Sequence, residues 1–131
     1  DLVPTLLEVV IKEPLWAACH SLRHVFCGGE ALAPQVAARF FEHNQASLHN
    51  LYGPTEVTID ATFHTCQAEE TGRSIPIGRP ISNVEVYILD ENQQPVPVAV
   101  PTGRLRVVRS RPSSARLRRV AVLAGAAMRK V

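Results

Sequence analysis

Residues 51–60, LYGPTEVTID, combine in one short segment the groups that a nucleoside triphosphate and its metal ion require. The GP pair favours a sharp turn, because Gly adopts many backbone conformations and Pro fixes φ. Thr55 offers a hydroxyl donor to phosphate, Glu56 a hard oxygen ligand to Mg²⁺, and Tyr52 a flat face on which a purine can stack. The segment therefore predicts a nucleotide-binding loop.

Each of these residues also has a simpler interpretation. An isolated GP pair is usually only a turn, Tyr52 can be an ordinary core aromatic, and Glu56 can be a solvated carboxylate. The segment has to be judged together with the elements that would position it.

Length and composition limit the class of protein. The 131 residues, 46% of them hydrophobic, fit one domain with a core. The sequence has no apolar run of about 18 residues and starts without the features of a signal peptide, so we expect a cytoplasmic protein without a membrane partner. Three cysteines without CxxC spacing argue against a disulfide framework or a zinc site, and the five histidines lack metal-ligand spacing.

The hydrophobic pattern predicts alternating helices and strands. Helices are expected at residues 4–13 and 34–44, each opening with Pro, and Asn44 is a candidate C-terminal cap. Strands are expected at residues 22–27, 47–51, 58–66 and 84–89, and residues 90–97 read as a turn before another short strand.

A strand, a helix and a second strand form the unit of a parallel or mixed α/β sheet, whose ligands gather at strand ends. Both unusual loops, GGEAL at 28–32 and LYGPTE at 51–56, follow predicted strands. We therefore expect them to meet at one edge of the sheet.

Three segments together resemble the adenylation domains of nonribosomal peptide synthetases, within the family of adenylate-forming, AMP-binding enzymes. They are FCGGEAL, NLYGPTE and IPIGRPISNVEVYILDENQQPVPVAVP, and the resemblance covers residues 1–101. It implies a mixed-sheet piece of the large N-terminal subdomain. It also implies an activity, the formation of aminoacyl-AMP from ATP and an amino acid, followed by capture on the phosphopantetheine thiol of a carrier domain.

The resemblance also assigns roles to residues. Tyr52 would stack on adenine, Asn50 would bond its amino edge, and Thr55 and Glu56 would form the catalytic pair, touching phosphate and holding Mg²⁺. The nucleotide-binding residues would be Gly28, Gly29, Glu30, Asn50, Tyr52, Gly53 and Thr55. For Glu30, a helix-terminal charge remains an equal alternative.

By the same resemblance, a second set of residues would select the amino acid: Phe26, Gly28, Leu51, Ile59 and Asp60, with Asp1 as a further candidate. Gly28 would leave room and Asp60 would accept hydrogen bonds, which favours a small or medium amino acid with a polar group, such as serine. Asp60 could equally be an ordinary strand-end residue. Carrier and condensation domains of the same synthetase would be the partners, and no nucleic acid partner is implied.

Charge divides the chain near residue 101. Residues 1–101 carry all 12 acidic residues and five basic ones, whereas residues 102–131 carry nine basic residues and no acid. The family's downstream ARGY segment is missing, and a shift of reading frame between about Val107 and Arg111 would explain both features. A nucleotide sequence in which no single-base shift restores that segment would contradict the frameshift. The rival is a basic arm that binds nucleic acid or an acidic partner.

Two alternatives to an amino-acid ligase stay open: an acyl or aryl acid ligase of the same superfamily, and a noncatalytic nucleotide-binding remnant. The sequence matches neither the family's upstream phosphate loop nor its downstream ribose-binding aspartate and lysine. We therefore expect an internal piece of an adenylation domain, marginally stable by itself because its hydrophobic edges would be exposed.

This expectation leads to a first prediction. The 131-residue chain alone should show no amino-acid-dependent exchange between ATP and pyrophosphate, because the groups that would complete the phosphate and carboxylate site are not in the sequence. The purified chain would be assayed against a panel of amino acids. Exchange above the level without amino acid would contradict the prediction.

Overall fold

The structure, a computed structural model, describes residues 1–54, 60–70, 74–90 and 92–96, and the backbone of 104–109. Thr55, Glu56 and Ile59 of the predicted site lie outside the described residues. The chain divides into two compact units. The first comprises Asp1–Gly53 and Thr62–Arg79, and the second Pro54–Ala61 and Pro80–Val131.

The first unit contains two helices and three strands of a mixed sheet, and the fourth strand spans the sequence boundary between the units; this confirms the predicted α/β class. The helices are α1 (Pro4–Val10) and α2 (Pro34–His43); the strands are β1 (His24–Cys27), β2 (Ser47–Tyr52), β3 (Thr62–Thr65) and the two-residue β4 (Arg79–Pro80). The strand order is β1-β2-β3-β4, with β1 and β2 parallel and β2 and β3 antiparallel. Leu2 adds a parallel bridge to Cys27.

Helix α1 is shorter than the hydrophobic pattern predicts. After Val10 the chain continues in three-residue turns, in which Lys12 N–H donates to Val9 O and Glu13 N–H to Val10 O. Pro14 explains the change, because a proline disfavours the α conformation of the residue before it. The predicted helical pattern therefore tightens into turns before Pro14.

Helix α2 matches its prediction within one residue, and Asn44 is its C-cap. Asn44 has an extended backbone, with φ −146° and ψ 146°, and its N–H donates to Phe40 O at 2.9 Å. Its side-chain Oδ1 accepts from Ala46 N–H at 2.9 Å. The cap therefore turns the chain directly into β2, without a left-handed residue.

A hydrophobic core joins the helices to one face of the sheet. Phe40 is fully buried and meets Trp16 edge to face, with 6.0 Å between ring centroids. The buried cluster comprises Leu7, Ile11, Trp16, Val25, Cys27, Leu32, Val36, Ala37, Phe40, Ala46, Leu48, Cys66 and Ile75. It fixes the sheet on which the candidate site lies.

The second unit contains an antiparallel pair, β5 (Val84–Leu89) and β6 (Arg104–Arg109). Strand β5 has its predicted bounds, and residues 90–97 begin as a turn in which Asp90 Oδ1 accepts from the N–H groups of Asn92 and Gln94. Strand β6 lies within the predicted basic tail, and its backbone pairs along the whole of β5. The rest of that tail lies outside the described residues.

Gly78 marks a close backbone approach in the first unit. Its φ is +78°, and a Cβ at this position would lie 1.8 Å from Phe63 O and 2.7 Å from His64 N. Both the left-handed conformation and the contact with β3 therefore require glycine.

We expect Gly78→Ala to lower the free energy of unfolding by at least about 2 kcal/mol, because backbone strain adds to a clash that no side chain can relieve. Gly29→Ala is the matched control. Gly29 has φ +82°, but an added Cβ would meet only Val3 Cγ1 at 3.6 Å. Urea unfolding of both variants measures the difference, and equal losses would show that the contact with Phe63 is not the cause.

Candidate nucleotide and amino-acid site

The predicted site residues of the first unit gather where β1 and β2 end. The parallel register places Phe26 beside His49 and Cys27 beside Asn50, so the GGE and YGP segments leave the sheet at the same edge. In α/β sheets, ligands bind outside the carboxyl ends of parallel strands. The described starts of the two predicted loops therefore lie at the same sheet edge, and the rest of the second loop lies outside the described residues.

The alternation of side chains separates the predicted residues by role. Asn50 lies on the core-facing side of β2 and is 4% exposed, whereas Leu51 points to the opposite face. Phe26 on β1 lies on that opposite face and is 41% exposed. Asn50, a nucleotide-contact candidate, thus lies on one face of the sheet, and Phe26 and Leu51, two of the amino-acid-contact candidates, lie on the other.

Gly28 allows the ends of the two strands to come close together. A Cβ on Gly28 would lie 3.2 Å from both Cβ and O of Leu51, a tight contact that a side chain could make only if Leu51 shifted by a few tenths of an ångström. Gly29 follows in a left-handed conformation, and its neighbourhood is open. The glycine pair therefore first packs against β2 and then turns the chain away from the sheet.

Asn50 is held by a bond that the sequence did not indicate. Its Nδ2 donates to Pro76 O at 2.8 Å, and Thr62 Oγ1 on β3 donates to Ile77 O at 2.6 Å. The bond uses the donor end of the Asn50 amide, so its oxygen is the end left to accept a hydrogen bond from an amino group. Tyr52, two residues further on, is half-buried at the end of β2.

Glu30 contacts the start of α1. Its Oε2 accepts from both the N–H and the hydroxyl of Thr5, which lies in the first turn of that helix. A carboxylate at this position satisfies an N–H that has no partner within the helix and is favoured by the helix dipole. The helix-terminal alternative for Glu30 therefore has a structural basis, and its contact with nucleotide stays a prediction.

The sheet face that carries Phe26 and Leu51 also carries two histidines that the sequence interpretation did not assign to the site. The Phe26 and His49 rings stack with 4.9 Å between centroids. His24 Nδ1 and His49 Nε2 are 3.2 Å apart, and His49 Nδ1 lies 3.1 Å from Thr65 Oγ1. Strand alternation was the available signal, because residues 24 and 26 share a face, as do 49 and 51.

Two further predicted residues, Asp60 and Asp1, are described by the structure outside the strand ends. Asp60 belongs to the second unit, where it is half-buried, and Asp1 is exposed. Among the described residues, no helix is long and apolar enough to span a membrane.

The sequence profile of the family described as AMP-binding enzyme matches residues 1–113. The chain belongs to this family. The match extends beyond residue 101, where the motif resemblance ended, and it includes β6.

Relatives and solved structures of this family agree with the assignment. The chain is 52% identical over 100 residues to tyrocidine synthase 3 of Brevibacillus parabrevis, a match that covers 76% of the chain and 2% of the relative. It resembles the Vibrio cholerae adenylation domain AlmE in complex with glycyl-adenosine-5'-phosphate (TM-score 0.68, 31% identity, 82% of this chain and 22% of that one). It also resembles PA1221, an NRPS protein containing adenylation and PCP domains (TM-score 0.72, 27% identity, 82% and 22%). The chain therefore spans only a small part of each.

The histidine pair makes a pH dependence testable. Burial of the His49 ring, with the neighbouring His24 as a smaller cause, lowers the pKa of His49 from 6.5. The folded chain thus binds this proton less readily than the unfolded chain. The contribution of neutral His49 to the free energy of unfolding is present above pH 6.5. It is lost as the pH falls from 6.5 through the lowered pKa of His49.

We expect His49→Gln to reduce the loss of unfolding free energy below pH 6.5, measured by urea unfolding over a pH series. Glutamine retains groups that can bond Thr65 but cannot take up this proton. His20→Gln, at an exposed turn position, is the control and should keep the dependence of the parent chain. An unchanged slope in His49→Gln would contradict the assignment.

Proposed function

We propose that this chain forms part of the active site of an amino-acid-activating ligase of nonribosomal peptide synthesis. The observation that carries the proposal is the register of β1 with β2, which brings the GGE and YGP segments of an AMP-binding family member to one sheet edge. The adenylation domain AlmE, 31% identical, is similar in structure and was solved with an aminoacyl adenylate. This supports an amino acid as the acid that is activated.

In the proposed reaction, a carboxylate oxygen of the amino acid attacks the α-phosphorus of ATP. The bond from the α-phosphorus to the bridging oxygen breaks, pyrophosphate leaves, and aminoacyl-AMP remains. The sulfur of a thiol then attacks the acyl carbon, the bond from that carbon to the AMP oxygen breaks, AMP leaves, the thiol proton passes to solvent, and a thioester forms. No electrons are exchanged with an oxidant or reductant. The protein contributes mainly position and charge stabilisation.

On the nucleotide side, we assign adenine to Asn50 and Tyr52. The Asn50 amide, fixed by Pro76, would present its oxygen to the adenine amino group. Tyr52, two positions along β2, would stack on the base, a contact worth about 1–3 kcal/mol. The backbone of Gly28, Gly29 and Gly53 would approach the nucleotide closely, and the Thr55 hydroxyl would donate to phosphate.

The ATP would be bound together with Mg²⁺. A glutamate carboxylate is the hard oxygen ligand that Mg²⁺ prefers, and Glu56 lies in the LYGPTE segment of the sequence, so the donor chemistry of this segment fits the ion. When bound, Mg²⁺ supplies neutralisation of phosphate charge. Glu56 would hold it there.

On the amino-acid side, the face that carries Phe26 and Leu51 would contact the substrate side chain, together with Gly28, Ile59 and Asp60. Phe26 and Leu51 supply apolar area, and Gly28 adds no bulk beside Leu51. Asp60 would accept hydrogen bonds from a polar substrate group. A carrier domain would supply the phosphopantetheine thiol, and PA1221 is a relative in which adenylation and PCP domains occur together.

A chimera tests the proposal. The segment of AlmE that matches this chain would be replaced by residues of this chain, and amino-acid-dependent exchange between ATP and pyrophosphate would be measured over an amino acid panel. We expect exchange, with a preference among amino acids that is set by the transplanted sheet face carrying Phe26 and Leu51. Glu56→Gln in the chimera should reduce exchange at least about 100-fold, because it removes the charge that holds the ion.

Glu42→Gln, which changes an exposed glutamate on α2, is the matched control and should leave exchange unchanged. Circular dichroism would verify that each chimera folds, and PA1221 would serve as a second acceptor. A folded chimera that activates aryl acids but no amino acid would contradict the substrate class. Full exchange in Glu56→Gln would contradict the metal role.

A further inference from the structure

Three side chains with metal-binding atoms come together at the end of β3 and in the turn that follows it: His64, Cys66 and Glu70. The imidazole Nε2 of His64 and the Oε1 of Glu70 are 2.6 Å apart. One ligand atom from each of the three residues lies within 4.8 Å of the others. Their spacing in the chain is H-x-C-x₃-E, and we did not predict a metal site from it.

The backbone holds all three residues in place. His64 lies on β3 opposite Asn50 of β2, and Cys66 N–H donates to Leu48 O at 2.9 Å. Glu70 closes the turn that follows, with its N–H bonded to Gln67 O at 3.2 Å. The ligand atoms therefore converge from a sheet strand and a bonded turn.

One buried oxygen atom in this group lacks a hydrogen-bond partner among the described residues. Glu70 Oε2 is buried and has no hydrogen-bond partner among the described residues, whereas its Oε1 is paired with His64. A buried carboxylate oxygen without a partner costs on the order of 1–3 kcal/mol or more. Cys66, only 4% exposed, lies beside it. A cation among these residues would supply the missing partner.

We propose that His64 Nε2, Cys66 Sγ and the Glu70 carboxylate bind one divalent transition-metal ion, with Zn²⁺ as the ion that they fit. Zinc accepts imidazole, thiolate and carboxylate together, at about 2.0–2.3 Å and in tetrahedral geometry. Such a geometry places ligand atoms roughly 3–4 Å apart, which requires only a small opening of the His64–Glu70 contact. Mg²⁺ prefers oxygen ligands and suits a thiolate poorly.

The three residues would leave one coordination position for water or another ligand. Bound metal would join the 66–70 turn to β3 and thereby brace the strand that pairs with β2. This site is independent of the proposed activity and of the Mg²⁺ assigned to Glu56. The competing interpretation is a His64–Glu70 ion pair that needs no metal.

Cobalt provides a direct probe, because Co²⁺ occupies zinc sites and absorbs light according to its ligands. Adding Co²⁺ to the metal-free 131-residue chain should give one bound ion, an intense thiolate-to-cobalt band in the near ultraviolet and the visible bands of tetrahedral cobalt. Addition of Zn²⁺ should displace the cobalt. Cys66→Ser should abolish the thiolate band, whereas Cys19→Ser, at an exposed thiol, should retain it.

Two further variants keep the thiol in place. His64→Gln and Glu70→Gln should each weaken Co²⁺ binding more than about 10-fold, since loss even of a ligand's hydrogen-bond partner has such an effect. Circular dichroism would confirm that the variants fold. If Cys66→Ser does not fold, these two variants decide the assignment. Absence of the thiolate band in the parent chain, its persistence in Cys66→Ser, or unchanged binding in both glutamine variants would overturn the proposal.

Discussion

Cys27 on β1 lies beside Asn50 on β2, and the parallel pairing that sets this register determines where the loops and side chains of the candidate site lie. Because the strands run in the same direction, the loops that follow them leave from one edge. The core stabilises this pairing on one face of the sheet, because Val25, Cys27 and Leu48 are buried in the same hydrophobic cluster as residues of α2. Packing of ordinary aliphatic side chains thus determines where the polar residues of the site can be.

The glycine and the carboxylate of GGE depend on the same pairing in different ways. Gly28 lies so close to Leu51 that an added Cβ would be 3.2 Å from its Cβ and O, while Glu30 accepts hydrogen bonds from the first turn of α1. Both interactions secure the loop at the end of β1. The motif therefore contributes to structure as well as to the proposed nucleotide site, and substitution at either residue would change both.

Local patterns were sufficient to predict much of the fold. Strand β5 was predicted with its observed bounds, and α2 was predicted to within one residue, because hydrophobic periodicity and flanking Pro residues are local signals. The length of α1 was overestimated, because the apolar pattern continues through tight turns as readily as through a helix. The roles of the site residues came from the family resemblance, because local propensity does not indicate them, and they stay predictions.

Long-range partners were beyond prediction from one sequence. The bond from Asn50 to Pro76 joins residues 26 apart, and Glu30 to Thr5 joins residues 25 apart. Neither has a sequence signal, since both depend on how the sheet and helices assemble. The same is true of His64 with Glu70, where a turn of the chain, rather than motif spacing, creates the contact.

Strand alternation places adjacent residues of β2 on opposite faces of the sheet, and we propose that Asn50 contacts the base and Leu51 the amino acid. Substitution can therefore alter one preference while leaving the other intact. Insertion or deletion of a single residue within β2 cannot change one preference alone. A shift of one position would exchange the two faces of the strand and disrupt both contacts together. Substrate range in such a sheet can diversify through side-chain replacement, while the length of the strand stays constrained.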